Sequence, residues 1–121
     1  MRKLAGRYVQ GGANLFLGYY AGYGSSANAQ SPGTSNIGLG YQSSVSFISA
    51  SYNVAIGVNT LYNNQHGEYN VAIGQGAGDH ATGSYNTFVG GKAGEGGTTS
   101  APFSSGQNNV AVGYQAFDAF T

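Results

Sequence analysis

One five-residue motif, Asn-aliphatic-x-aliphatic-Gly, occurs six times along this chain and constrains its fold more than any other feature. The copies are NLFLG (14–18), NIGLG (36–40), NVAIG (53–57), NVAIG (70–74), NTFVG (86–90) and NVAVG (109–113). Successive asparagines are 22, 17, 17, 16 and 23 residues apart, and each copy is followed by two variable residues and then Ala, Ser or Thr. Self-similarity at a nearly constant period is typical of a solenoid. The residues predicted to recur on every coil are Asn14, Gly18, Asn36, Gly40, Asn53, Gly57, Asn70, Gly74, Asn86, Gly90, Asn109 and Gly113.

Each copy predicts a short β-strand. The segments are brief, rich in β-branched residues and bounded by glycine, which disfavours a helix. Alternation puts positions two and four, such as Val54 and Ile56, on one face of the strand. We expect that face to line the core and the third position, Ala55 in this copy, to point away from it.

Stacking one copy on the next would give each strand a parallel neighbour about 4.8 Å away. A coil of 16 or 17 residues is long enough to return the chain for parallel pairing, which needs roughly a dozen residues. We therefore predict an all-β fold: a parallel β-roll or β-helix solenoid of about six coils over residues 14–121, preceded by a joining segment at 1–13. The recurring asparagines would form a ladder of side-chain amides.

Composition excludes several classes of partner. Only 7% of the residues are charged and the net charge is zero, whereas an ordinary soluble domain has about 25% charged residues. We expect no binding to nucleic acid and no insertion into a membrane, because neither a basic footprint nor a run of about 20 apolar residues is present. The start of the chain lacks the apolar stretch of an ordinary secretory signal, and the absence of cysteine excludes disulfides.

The thin core expected for one chain points to an oligomer. Each coil contributes only about two large residues to it, while glycine-rich coils carry apolar residues on more than one face. Several copies packed around a common axis would bury both faces. We predict a homotrimer.

The repeat resembles two families of fibre proteins. NVAIG followed by x-x-[AST] resembles the head repeats of trimeric autotransporter adhesins, and NTFVGGKAG (86–94) and NVAVGYQAF (109–117) are similar to repeats of phage tail fibres. The resemblance implies a left-handed, trimeric β-roll or β-helix. It also implies an extracellular or virion-surface location and attachment to a host receptor, either a glycan or a protein. The coils are longer than those of adhesin heads, which favours the tail-fibre relatives.

Few side chains on this chain could perform catalysis. His66 and His80 lie in turns between copies, where adjacent coils could bring them together as metal ligands or leave them as polar turn residues. Glu68 and Asp79 are the pair of acids that a carboxylate-based glycosidase would have to use. Neither glycine-rich turn, GQGAGD (74–79) or GGKAG (90–94), completes a nucleotide-binding motif. We predict no enzyme activity, no cofactor and no metal.

The two long spacers are the predicted binding segments. YGSSANAQSPGTS (23–35) and EGGTTSAPFSSGQN (95–108) are rich in Gly, Ser and Pro and would loop out of the stack. Loops on a rigid scaffold often carry recognition, although insertions without a partner would look the same. The candidate binding residues are Tyr23, Asn28, Gln30, Thr98, Thr99, Phe103 and Gln107.

Tyrosines form a further candidate surface. Tyr52, Tyr69 and Tyr85 each precede a motif asparagine, so a stack of coils would align them. Their rings could pack coil against coil, or they could offer a strip on which sugars stack. The same alternatives hold for the tyrosines that follow a motif glycine: Tyr19, Tyr20, Tyr41 and Tyr114.

The function predicted from the sequence is attachment to a host or cell surface as part of an extracellular or virion fibre. The alternative is a purely structural shaft, or a filament subunit that polymerises without a specific ligand.

Overall fold

A computed structural model describes residues 5–24, 32–97 and 104–118. The fold is all-β, and no helix occurs in those ranges. Each motif copy forms one three-residue strand: β1 (Leu15–Leu17), β2 (Ile37–Leu39), β3 (Val54–Ile56), β4 (Val71–Ile73), β5 (Thr87–Val89) and β6 (Val110–Val112). The six strands form one parallel sheet in the order of the chain. The predicted all-β parallel solenoid is thereby confirmed; its left-handedness and its trimeric assembly stay predictions.

The repeat fixes the register of this sheet. Val54 pairs with Val71 and Ala55 pairs with Ala72, and every other neighbouring pair of strands aligns the same motif positions. A slip of one residue would turn each side chain to the opposite face. Identical positions therefore stack in columns, which is what allows ladders of one residue type to form. None of the described residues belongs to a helix that could cross a membrane.

The predicted orientation of the strands is wrong. The third position faces the core: Ala55, Ala72 and Phe88 are 0% exposed. Positions two and four face outward instead, and Val110 and Val112 are exposed. The interior of the coil is narrow and takes one side chain from each strand, so alternation along the strand turns the residues on either side of the third position to the outer surface.

Side chains of complementary size fill this narrow interior. Phe16 replaces the usual small residue at the third position of its coil, and the same coil carries Gly22 in the following turn. A Cβ on Gly22 would lie 2.3 Å from the Phe16 ring. Phe88 and Gly94 repeat the relationship, with a Cβ on Gly94 only 2.2 Å from the Phe88 ring. A large residue at one position thus requires glycine at the other.

Two consecutive turns follow each strand and return the chain. In the fourth coil, Ala77 N–H donates to the Gly74 carbonyl at 3.1 Å and Asp79 N–H donates to the Gly76 carbonyl at 3.3 Å. The third residue of each turn, Gly76 and then Gly78, has φ of +71° and +62°, as a type II turn requires. The small residue after the motif, here Ala77, lies between the turns and is fully buried.

Part of the predicted joining segment stacks on the first coil. Gly6 N–H donates to the Ala21 carbonyl at 2.8 Å, and Tyr8 N–H donates to the Tyr23 carbonyl at 3.0 Å. Gly22 N–H makes the equivalent bond to the Ser43 carbonyl in the next layer, also at 2.8 Å. The backbone of residues 6–8 therefore continues the pattern of hydrogen bonds between coils.

Candidate functional site

A continuous ladder of asparagines joins the coils. The backbone N–H of Asn70 donates to Oδ1 of Asn53 at 2.9 Å, and Nδ2 of Asn53 donates to the Gly67 carbonyl at 2.9 Å. Oδ1 of every asparagine from Asn14 to Asn86 accepts the N–H of the next asparagine at 2.9 or 3.0 Å. Their Nδ2 atoms donate in turn to the carbonyls of Gly33, Ala50, Gly67, Gly83 and Gly106. The predicted amide ladder is present, and its role is structural, since both ends of each side chain are occupied within the stack.

The motif glycines form a second column. Gly57 has φ of +130°, and a Cβ there would lie 2.9 Å from the carbonyl carbon of Gly74. Backbones of neighbouring coils approach too closely at this point for any larger residue. Sequence reasoning missed another column, three residues before each asparagine, where a Cβ on Gly83 would lie 2.1 Å from the Gly106 carbonyl oxygen. The recurrence of Gly, or Ala50 in one copy, at that offset was the available signal.

The tyrosines that precede the motif form a stacked row. Ring centroids are 4.7 Å apart between Tyr52 and Tyr69 and 5.4 Å apart between Tyr69 and Tyr85, with interplanar angles of 10° and 5°. Both faces of the Tyr69 ring are therefore covered by neighbouring tyrosines. Burial, followed by the neighbouring Tyr52, raises the pKa of Tyr69. The Tyr69 ring therefore packs between coils and has no free face on which a sugar could stack, while Tyr52 and Tyr85 each have an aromatic neighbour on one side.

A second group of aromatic side chains, here named the Arg7–tyrosine cluster, lies at the opposite end of the chain from β6. Its contacts run from ring to ring, with centroid separations between 4.4 and 5.9 Å. The guanidinium carbon of Arg7 lies 5.4 Å from the centroid of the Tyr8 ring. The members of the cluster are Arg7, Tyr8, Tyr19, Tyr20, Tyr23 and Tyr41.

Hydroxyl groups link the cluster further. A hydrogen bond with the side chain of Tyr19 raises the pKa of Tyr20, and one with the side chain of Tyr8 raises the pKa of Tyr23. The positive charge of Arg7 lowers both values by a smaller amount. Arg7 therefore lies close enough to both phenols to act on them, and the six side chains form one continuous surface.

An apolar surface, here named the aliphatic face, runs along the outer side of the sheet. It is formed by strand positions two and four, which the sequence analysis had assigned to the core. The exposed members are Leu15, Leu17, Ile37, Ile73, Val110 and Val112. Contiguous apolar patches on a protein surface commonly mark protein–protein contacts.

The structure describes two of the predicted binding residues, Tyr23 and Gln107. Tyr23 belongs to the Arg7–tyrosine cluster, and Gln107 is exposed beside the last coil. The other five lie outside the described residues: Asn28, Gln30, Thr98, Thr99 and Phe103. Within the second spacer, the residues that flank 98–103 are close together, because Gly97 N–H donates to Oγ of Ser104 at 2.6 Å.

His66 and His80 lie in different surroundings. Nδ1 of His66 is 2.7 Å from Oγ of the exposed Ser49. His66 also lines a surface cleft of about 280 Å³ with Asn63, Gln65 and Thr82. None of the described residues that line the cleft carries a carboxylate, so the Ser49–His66 pair has no third member of a hydrolase triad there.

His80 belongs to the one group of possible metal ligands found among the described residues. Asp79, His80 and Glu95 each place a ligand atom within 4.8 Å of the others. Burial raises the pKa of Asp79 above its ordinary value of 3.8, while the charge of His80 opposes the shift. Nζ of Lys92 lies 3.8 Å from Oε2 of Glu95 and competes with any cation for that carboxylate. His66 is not part of this group.

The fold defines a class of protein, a solenoid of stacked parallel β-coils with an apolar outer face. Comparison of the chain with protein-family models, curated proteins and solved structures finds no match. Its function must therefore be inferred from its own residues and their arrangement.

Proposed function

We propose that this chain is the attachment segment of an extracellular or virion fibre, which binds a cell-surface glycan or protein receptor as a homotrimer. The observation that carries the proposal is a regularly stacked scaffold that leaves an aliphatic face uncovered along its length. Attachment needs such a scaffold, because it holds recognition surfaces at fixed positions and repeats them in every subunit.

The aliphatic face supports the trimeric part of the proposal. The interior holds mainly Ala, Phe and Asn side chains together with Leu61, while the valine, leucine and isoleucine side chains of the strands face outward. Burying one such side chain is worth about 1.5–3 kcal/mol, so three copies that bring these faces together gain considerable stability. A threefold axis along the stack would also present three copies of each spacer to one cell surface, which multiplies weak affinities.

The experiment that tests attachment changes only the second spacer. Residues 98–103 are replaced by two glycines, since the contact between Gly97 and Ser104 already brings the ends together. Residues 95–97 and 104–108 must stay, because the Gly106 carbonyl and the Ser104 backbone belong to the hydrogen bonds of the stack. We expect the variant to keep its fold and to lose binding to susceptible cells by at least tenfold.

A matched control keeps the six residues of 98–103 but scrambles their order. If this spacer recognises a receptor, the scrambled chain also loses cell binding. Full binding by both variants, together with full binding after the same replacement of residues 25–31, would contradict receptor recognition by the spacers.

A structural shaft or filament subunit is the second candidate function. It is favoured by the unbroken register from β1 to β6, which would continue without change if further coils were added at either edge. This function predicts particles that lengthen with protein concentration, as electron microscopy would reveal, and cell binding that no spacer variant alters.

A further inference from the structure

Charge is distributed unevenly along the chain although its sum is zero. Three of the four basic residues lie within the first seven positions: Arg2, Lys3 and Arg7. All four acids and the remaining base lie between positions 68 and 118: Glu68, Asp79, Lys92, Glu95 and Asp118. The start of the chain therefore carries three positive charges, and the rest carries a net charge of three negatives. Anionic ligands are attracted to the first of these regions and repelled by the second.

Arg7 is free to bind an anion. Its side chain is exposed, and it has no ion-pair partner among the residues that the structure describes. The guanidinium lies over the Tyr8 ring, so the ring restricts its movement while its N–H donors, which lie in the guanidinium plane, remain available. A planar fork of N–H donors held in this way suits a carboxylate, which it can bind through two parallel hydrogen bonds.

The tyrosine at the far end of the cluster from Arg7 offers a surface that suits a sugar. Tyr41 is 47% exposed. Its ring is stacked on that of Tyr19, with centroids 5.9 Å apart, and it contacts no second ring in the described ranges. The face of Tyr41 turned away from Tyr19 therefore has no aromatic neighbour, because the next coil carries the shorter Val58 in that column, whereas Tyr69 has a tyrosine ring on each side. Phenol rings stack on the C–H faces of sugars and their hydroxyls bond to sugar hydroxyls.

The same column of the stack shows that these rings are not required by the fold. Tyr41 directly follows a motif glycine, and other coils carry Val58, Gln75 or Gly91 at that place. Tyrosine is thus one of several residues that the turn accepts. The row of five tyrosines that begins at Arg7 calls for an explanation other than the repeat.

We propose that a carboxylated oligosaccharide binds along the Arg7–tyrosine cluster, with a carboxylate paired with Arg7 at one end of the row and a sugar ring stacked on Tyr41 at the other end. The inference rests on the proposed attachment function and adds to it a second recognition surface and the chemical class of the ligand. Either a uronic acid or a sialic acid can supply a carboxylate on a sugar ring.

The test measures binding of two probes by titration calorimetry or by NMR: a uronic acid oligosaccharide and a sialylated trisaccharide. Each is compared with its carboxyl-reduced form, in which a neutral alcohol replaces the carboxylate and the rings are unchanged. We expect the unmodified chain to bind at least one acidic probe, and to bind its reduced form at least tenfold more weakly. The probe that binds shows whether the acidic sugar is a uronic acid or a sialic acid.

Two variants and one matched control locate the site. Arg7→Gln removes the charge, and Tyr41→Gln introduces the residue that Gln75 already places in the same column. Each should weaken binding of the acidic probe at least tenfold. Tyr114→Gln changes the equivalent residue of the last coil, which is 75% exposed, and should leave binding unchanged.

The inference is overturned if neither acidic probe binds, or if Arg7→Gln and Tyr41→Gln bind as well as the unmodified chain. These outcomes are independent of the spacer experiment. Replacement of residues 98–103 leaves the cluster intact. If that variant loses cell binding, the attachment function is supported, and this holds even if the cluster is found to bind no sugar.

Discussion

Asn53 connects two coils by itself: its Oδ1 accepts the backbone N–H of Asn70 at 2.9 Å, and its Nδ2 donates to the Gly67 carbonyl at 2.9 Å. The side chain is completely buried, so these two backbone groups have no access to water as an alternative partner. One side-chain amide therefore accepts the backbone N–H just before the next strand and donates to a backbone carbonyl at the end of the turn that precedes it. Repetition of this arrangement explains why asparagine, and no apolar residue, occupies an interior column of the stack.

Removal of one amide from the ladder should destabilise the protein strongly. Asn70→Ala leaves the N–H of Asn86 and the carbonyl of Gly83 without the partners that Asn70 provides. Each buried unsatisfied group costs about 1–3 kcal/mol, so we expect the free energy of unfolding to fall by about 2–5 kcal/mol in urea denaturation. Asn109→Ala is the matched control at the last rung and should cost less than half as much. Equal losses in the two variants would contradict a ladder in which an interior asparagine contributes more than the last one.

The motif glycines should tolerate no side chain. Gly57→Ala combines a φ of +130° with a Cβ 2.9 Å from the carbonyl carbon of Gly74. A strained backbone conformation and overpacking each cost about 1–3 kcal/mol, so a loss of about 2–5 kcal/mol in the free energy of unfolding is expected. Gly12→Ala is the control, because nothing lies within 4 Å of its added Cβ, and it should change stability by no more than about 0.5 kcal/mol. Similar losses in both would show that the close approach of the coils is not the cause.

Stability should depend on pH through Asp79. Burial raises the pKa of this carboxyl in the folded protein, and Glu95 adds to the effect while His80 and Lys92 oppose it. The folded state then holds the proton more tightly than the unfolded state. The resulting stabilisation is complete below the unfolded value near 3.8 and is lost as the pH rises through the folded value.

Asp79→Asn removes this titration. We expect the variant to show a smaller decrease in the free energy of unfolding between pH 3 and pH 7, and to be more stable than the unmodified chain at pH 7. Urea denaturation at several pH values provides the comparison. An unchanged slope in Asp79→Asn would place the pH dependence in other groups.

The aliphatic face should control assembly without controlling the fold. Val110→Thr with Val112→Thr keeps the β-branched shape that strands favour, and the chain itself carries Thr87 at one of these positions. Because the change exposes a hydroxyl where an apolar contact is proposed, we expect the dissociation constant of the trimer to rise by about tenfold or more. Circular dichroism should remain that of the unmodified chain. Val58→Thr, an exposed residue in a turn, is the control, and an equal effect in it would argue against the face.

The repeat alone was enough to predict the strands, their parallel order and the asparagine ladder. The repeat gives the period and the residue types. Few other folds are compatible with a period of 16 or 17 residues and alternating aliphatic residues. It could not tell which face of the strand was inside. That choice depends on how wide the coil is. The width is set by packing between a strand and the turn that follows it, as for the buried Phe88 against Gly94, and a count of apolar residues does not reveal it.

The candidate site was less predictable for a similar reason. Tyr8, Tyr23 and Tyr41 come from different coils, so the row of ring contacts that joins them and begins at Arg7 depends on the stagger of the turns. Tyr52, Tyr69 and Tyr85 follow the period itself, and their alignment could be predicted. The sequence could not show whether their ring faces were free, because that depends on a centroid spacing of about 5 Å that only the structure provides.

The mass of the protein in solution, measured by light scattering over a range of concentrations, tests the central claim most directly. The chain has a mass of 12.3 kDa, so a homotrimer has three times that value, about 37 kDa. The proposed attachment fibre predicts this mass at every concentration well above the dissociation constant. A constant mass of 12.3 kDa would contradict the trimer and leave the aliphatic face without its proposed partner, and a mass that rises without limit would favour the filament instead.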